Sequence, residues 1–235
     1  MPGPVALIGA GEFLPAMAEV DAELLASTRR SRPRVVVLPT ASFPDGEVIF
    51  ERWASLGVAH FAALGAEVEP VLVRDRAGAD APGAAQAVGE ADLIYLSGGK
   101  PDYLLRALEE SAVGRALTEA HERGAILAGC SAGAMVLAAR TFGFRFRAMP
   151  WPLRWDHGLG IAAGVAVVPH YDAWPEPVCA LVALQAPRGS VILGIDEGTA
   201  VVGHDGAWQV RGESRVTVWR GRHRERFRAG EAFRL

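Results

Sequence analysis

Five consecutive residues, Gly129-Cys130-Ser131-Ala132-Gly133, carry the pattern Gly-x-Ser-x-Gly. They follow an apolar run over 125–128 and open a helical pattern over 134–139. A serine held between strand and helix in this way is a nucleophile elbow. The turn is tight and its central residue strained, so bulky neighbours at 129 and 133 would clash. The hydroxyl projects above the sheet at the positive end of a helix, where developing negative charge is stabilised. The frame centres on Ser131. Cys130 is expected to point away from the site, as a small buried hydrophobe.

A nucleophilic serine needs a base. His60 and His121 fall in helical patterns, and His204 and His223 in turn or tail positions. His157, before Gly158-Leu159-Gly160, stays a candidate. His170 comes directly after the apolar run 165–168 and Pro169, at a strand's carboxyl end, the rim where open α/β sheets collect ligands. Serine and histidine on one rim is what proton transfer between them requires, so His170 is read as the base. The base wants an acidic orienter. Asp196 and Glu197 close the strand pattern 191–195, and adjacent strand residues face opposite sides, so only one can meet His170. Asp172 is a local competitor. An oxyanion hole needs two N–H groups. Ala132 supplies one, and the glycine pair in Ser97-Gly98-Gly99 permits a second.

The elements that must hold these residues alternate. Continuous apolar strands are expected at 5–9, 35–38, 68–73, 93–96 and 125–128, with helices at 15–28, 45–65 and between 101 and 123. In the second helix Val48, Ile49, Trp53, Leu56 and Phe61 are read as one broad face. Residues 74–89 read as loop and a short helix. Fully apolar strands between helices argue a parallel sheet covered on both faces, a three-layer α/β/α domain. After residue 143 comes an irregular aromatic and proline-rich stretch, Phe144 to Pro152. Strands at 164–168 and 191–195 follow, with a helix at 177–184 between them. From 199 onward short antiparallel strands are expected, turning at His204-Asp205-Gly206 and Arg220-Gly221, with about 205–235 as a small β extension of a single domain covering 1–235. Arg222, Arg224, Arg226 and Arg228 alternate there, which reads as a solvated outer strand face rather than a partner-binding stripe.

Composition narrows the class further. The chain has 235 residues with 24 Lys plus Arg against 27 Asp plus Glu, a net charge of −3 that offers no footprint for nucleic acid. Its two cysteines make neither a disulfide framework nor a zinc site. No run reaches the roughly 18 apolar residues of a membrane span, and no signal peptide is evident, so a cytoplasmic protein is expected. All but one of the basic residues are arginine; the exception is Lys100, beside the glycine pair.

Six segments occur in an order that resembles the cyanophycinase and dipeptidase E family: Leu7 to Glu12, Pro39 to Ser42, Leu96 to Gly99, Cys130 to Ala134, Gly158 to Gly160 and Ile195 to Ala200. These are serine peptidases on a fold similar to class I glutamine amidotransferases, and the likeness covers residues 5–205. It implies Ser131 as nucleophile, His170 as base and, by the Asp-Glu-x-Thr-Ala motif of the cyanophycinase branch, Glu197 as acid. Two departures argue against cyanophycin as substrate. Lys100-Pro101 replaces the acidic or amide residue and glutamine that follow the glycines, and Tyr171 to Pro177 lacks the arginines that follow the catalytic histidine.

The expectation is therefore acyl transfer to water on a small peptide or amide, with Ser131, His170 and Glu197 as triad and the N–H groups of Gly99 and Ala132 as oxyanion hole. Lys100, Tyr171 and Asp172 are candidate substrate contacts, with Lys100 either paired to a nearby carboxylate such as Asp102 or gripping an anionic substrate. No metal, cofactor, nucleic acid or membrane partner is implied; a homodimer is left open. The rivals are an esterase or amidase on the same triad and a non-catalytic amidotransferase-like ligand-binding protein.

Overall fold

The computed structural model describes residues 1–143, 152–204 and 206–235. The stretch 144–151 and Asp205 of the expected tail turn lie outside the described residues.

In chain order the first half runs β1 (Val5–Ile8), α1 (Pro15–Ser27), β2 (Arg34–Leu38), α2 (Glu47–Ala63), β3 (Glu67–Pro70), α3 (Arg76–Ala79), α4 (Pro82–Glu90), β4 (Leu93–Leu96), α5 (Pro101–Leu108), α6 (Ala112–Glu122), β5 (Ile126–Cys130) and α7 (Ala132–Leu137). There follow β6 (Ala138–Phe142), β7 (Trp155–His157), β8 (Ala162–Val168), α8 (Glu176–Leu184), β9 (Val191–Ile195), β10 (Thr199–His204), β11 (Ala207–Gly212), β12 (Arg215–Arg220), β13 (His223–Arg228) and β14 (Ala232–Arg234). Two sheets result, ordered β14-β11-β10-β1-β5-β4-β2-β3 and β13-β12-β9-β8-β6-β7. Strands β1, β5, β4, β2 and β3 are mutually parallel; the four inner ones carry the apolar runs a sheet covered on both faces needs, and β3, Glu67-Val68-Glu69-Pro70, is the exposed edge. The fold is mixed α/β with a large, mainly parallel sheet, the architecture that the resemblance implies.

Strand alternation splits the core. Ala6, Ile8, Val35, Val37, Leu93 and Tyr95 pack against α1 and α2, while Leu7, Val36, Leu38, Ile94, Leu96 and Leu127 face the opposite layer. That second layer holds the other helices and the smaller sheet, and α7 touches β1, β4 and β5 of one sheet and β6 and β8 of the other. The antiparallel tail is shared out: β10, β11 and β14 extend the large sheet beyond β1, and β12 and β13 extend the small one beyond β9.

Three readings change. Strand β3 ends at Pro70 rather than 73: Val71 N–H still donates to the Val37 carbonyl (2.9 Å), but Val73 N–H turns back onto the Val71 carbonyl (2.9 Å) and leaves the ladder. Residues 74–89 hold two helices, not one: Asp75 caps α3 by accepting from the Gly78 N–H (2.9 Å), and Pro82 starts α4. Helix α2 has two apolar faces. Phe50, Ala54, Gly57 and Phe61 enter the core, whereas Val48 and Leu56 are exposed. On β13, Arg224 and Arg226 both pair with Glu176 of α8, and Arg224 lies 5.4 Å over the Trp219 ring. Among the described residues no helix is long and apolar enough to cross a membrane.

Candidate active site

Ser131 sits between β5 and α7 with φ 48° and ψ −107°, a left-handed backbone that costs a non-glycine residue about 1–3 kcal/mol. Close packing sustains it. The Ser131 N–H donates to the Ile8 carbonyl (2.9 Å), and a Cβ on Gly133 would lie 2.2 Å from the Leu96 carbonyl oxygen. The strain lifts the side chain off the end of β5, where Oγ lies 3.0 Å from His170 Nε2.

His170 is also left-handed, at φ 50° and ψ 40°, where the chain leaves β8 for the 3-10 turn Tyr171–Ala173. Its Nδ1 lies 2.7 Å from Glu197 Oε1. Glu197 occupies the short turn joining β9 to β10, and its backbone N–H donates to Asp172 Oδ1 (3.0 Å). Asp196 faces the other way: it is buried, accepts from Ser214 Oγ at 2.8 Å and meets Arg215 Nε at 3.3 Å. Burial pushes its carboxyl above the usual carboxylate range, opposed by the Ser214 hydrogen bond. Of the three acids considered, Glu197 alone reaches the histidine, and Asp172 braces the turn that carries it. His157 pairs with Arg140 instead (2.9 Å), and His60 with Asp21 (2.8 Å).

The glycine pair is anchored on both sides. Ser97 N–H donates to Leu38 (3.1 Å) and Lys100 N–H to Ala41 (2.7 Å). Gly99 has φ 140°, and a Cβ there would lie 2.2 Å from the Ala41 carbonyl oxygen, so no side chain fits. Gly98 N–H donates to Glu12 Oε1 at 2.8 Å. Among the described residues no hydrogen bond uses the N–H of Gly99 or Ala132.

Glu12 escaped the sequence reading of the site. It is buried, and besides Gly98 it accepts from Cys130 Sγ at 2.9 Å, so one carboxylate ties the glycine loop to the elbow. Its position after the Gly9-Ala10-Gly11 turn, at the carboxyl end of β1, was the available signal. Cys130 is thus a hydrogen-bond donor as well as a buried filler. Burial pushes its thiol well above the ordinary value, and the Glu12 charge adds to that.

One substrate-contact reading is corrected. Tyr171 is buried away from the cleft, its ring against Gly194 and its hydroxyl accepting from Trp219 Nε1 (3.0 Å). Lys100 pairs with a nearby carboxylate, as one of its two readings had it, and that carboxylate is Asp45 (3.3 Å). A cleft of about 710 Å³ opens above Ser131, His170, Glu197 and Glu12, walled by Phe13, Leu14, Ile49, Arg52, Trp53 and Leu56.

An elbow serine, a histidine and a carboxylate in series on the rim of a mainly parallel sheet belong to the serine hydrolase class. The chain belongs to peptidase family S51, whose model matches residues 5–211, and it is thereby a serine-type peptidase. It is similar to a peptidase from an acI-B1 Actinobacterium, with 34% identity, a TM-score of 0.89, and 100% of this chain and 98% of that one covered. A putative peptidase E protein from Listeria monocytogenes EGD-e shares the fold at 18% identity and a TM-score of 0.65, over 91% of this chain and 100% of that one. No curated protein matches the chain.

Proposed function

We propose that the protein hydrolyses a peptide or amide bond in a small substrate through an acyl-enzyme on Ser131. One observation carries the reading: the unbroken series Ser131 Oγ, His170 Nε2, His170 Nδ1 and Glu197 Oε1 at 3.0 and 2.7 Å, built on a strained serine at the floor of a cleft. Oγ attacks the substrate carbonyl carbon while His170 Nε2 takes its proton. Glu197 holds the Nδ1–H and stabilises the imidazolium. The N–H groups of Ala132 and Gly99 receive the carbonyl oxygen as it becomes an oxyanion. His170 then protonates the departing amine, and a water molecule, activated by the same nitrogen, frees the acid and regenerates the serine. The cysteine beside the serine is not the nucleophile, because its thiol is protonated and committed to Glu12.

A fluorophosphonate probe tests this. The expected result is one adduct, on Ser131, absent from Ser131→Ala, together with loss of peptide hydrolysis in that variant. A protein that takes no adduct, or that cleaves peptides equally well as Ser131→Ala, overturns the reading.

A further inference from the structure

Helix α2 presents Ile49, Arg52, Trp53 and Leu56 to the cleft, a spacing of three, four and seven residues that puts them in one stripe. The stripe is apolar but not in the core: Leu56 is 40% exposed, and Leu14, across from it, is 55% exposed. Phe13 closes the patch, its ring centroid 6.3 Å from that of Trp53. Exposed apolar side chains gathered beside a nucleophile mark a ligand surface rather than an accident of folding.

Charge decides what the ligand must carry. Asp45 is neutralised by Lys100, Glu12 is committed to Gly98 and Cys130, and Glu197 to His170. Arg52 remains, an exposed residue of the cleft wall with no hydrogen bond, ion pair or ring contact among the described residues. A guanidinium fork matches a carboxylate, to which it can donate two parallel hydrogen bonds. Apolar residues flank it along the helix on both sides. One amino-acid residue satisfies stripe and charge together when its side chain is hydrophobic and its own main-chain carboxylate is free. An acidic side chain would pair with Arg52 and leave the apolar wall wet.

We propose that Arg52 and the Ile49–Trp53–Leu56 stripe select short peptides ending in a hydrophobic residue with a free α-carboxylate. This deepens the hydrolytic reading above and rests on it.

The test compares Ala-Phe and Ala-Leu with their C-terminal amides and with Ala-Gly, using the whole protein. The free acids should exceed the amides in kcat/KM by about 10–100-fold, the range of a hydrogen-bonded charge. Arg52→Ala should erase that ratio, and Arg52→Lys should restore part of it. Trp53→Ala should cut the preference for Phe over Gly by about tenfold while leaving the acid-to-amide ratio intact. An acid-to-amide ratio near one in the unaltered protein, or a ratio that survives Arg52→Ala, overturns the inference. So does Arg52-dependent cleavage of aspartyl amides in preference to the free acids, which would assign the carboxylate to a side chain. Fluorophosphonate labelling of the unaltered protein separates the two levels. Labelling without acid-to-amide discrimination sinks only this inference, whereas no labelling sinks the hydrolytic reading beneath it.

Discussion

Each of Ser131, His170 and Glu197 terminates or follows an apolar strand, and that is why their meeting was legible: carboxyl ends of strands share one rim. Arg52 was not legible, because nothing in a helix pattern says which way a charged side chain points, and Glu12 offered only its place after the turn that ends β1. Tyr171 misled through its adjacency to His170; the left-handed histidine sends the next residue into the core. Glu197→Gln should lower kcat less than Ser131→Ala, which should lower it by roughly 1,000-fold or more in a steady-state assay of the best peptide. Asp196→Asn should leave kcat/KM within a factor of about three, since Asp196 meets Ser214 and Arg215 rather than His170. Its effect belongs to stability. Because burial raises the folded-state value, the protonated carboxyl favours folding most below the ordinary 3.8, and that contribution fades as pH rises through the raised value. Urea unfolding across the acid range should therefore give a flatter stability curve for Asp196→Asn than for the unaltered protein. Lys100→Ala should move stability by only about 0–1 kcal/mol and show no bias between acidic and neutral substrates, as befits an exposed pair with Asp45.

Elements were easiest to read where one force dominates. Strands β1, β2, β4 and β5 are buried on both faces, so unbroken apolar runs announced them. Helix α2 was read as having one broad face because periodicity counts apolar residues without saying which surface each stripe meets. The core takes Phe50, Ala54, Gly57 and Phe61, and the cleft takes Ile49, Trp53 and Leu56. The sharing of the tail between two sheets was out of reach, since local alternation does not name a strand's neighbour. The elbow itself permits a sharp expectation. Gly133→Ala would press a methyl group onto the backbone of β4, so it should cost about 1–3 kcal/mol or more by urea denaturation. It should also slow acylation of Ser131 by the phosphonate probe, because relief of the clash must shift the turn. Unchanged stability with unchanged labelling would mean that the turn has slack the packing denies.

At the scale of the molecule the proposed triad is shared between sheets. Ser131 stands on the large sheet, His170 follows β8 of the small one, and Glu197 rides the crossover from β9 to β10. One continuous apolar cluster joins the two sheets, with α7 packed between them. Urea should consequently abolish activity and near-ultraviolet dichroism in a single coincident transition; an early loss of activity would show that the sheets part before they unfold. The position of β1 has a consequence for how the chain is made. This first strand pairs with β5 on one side and β10 on the other, partners that begin at Ile126 and Thr199. A chain synthesised from its N-terminus must therefore carry an apolar strand with both edges open until β5 has emerged, and with one edge open until β10 follows. Long-range pairing of this kind folds slowly and exposes hydrophobic edges meanwhile. Bacterial overproduction should accordingly yield more soluble protein under slower translation or added chaperone, a demand set by the order of the strands rather than by the stability of the finished enzyme.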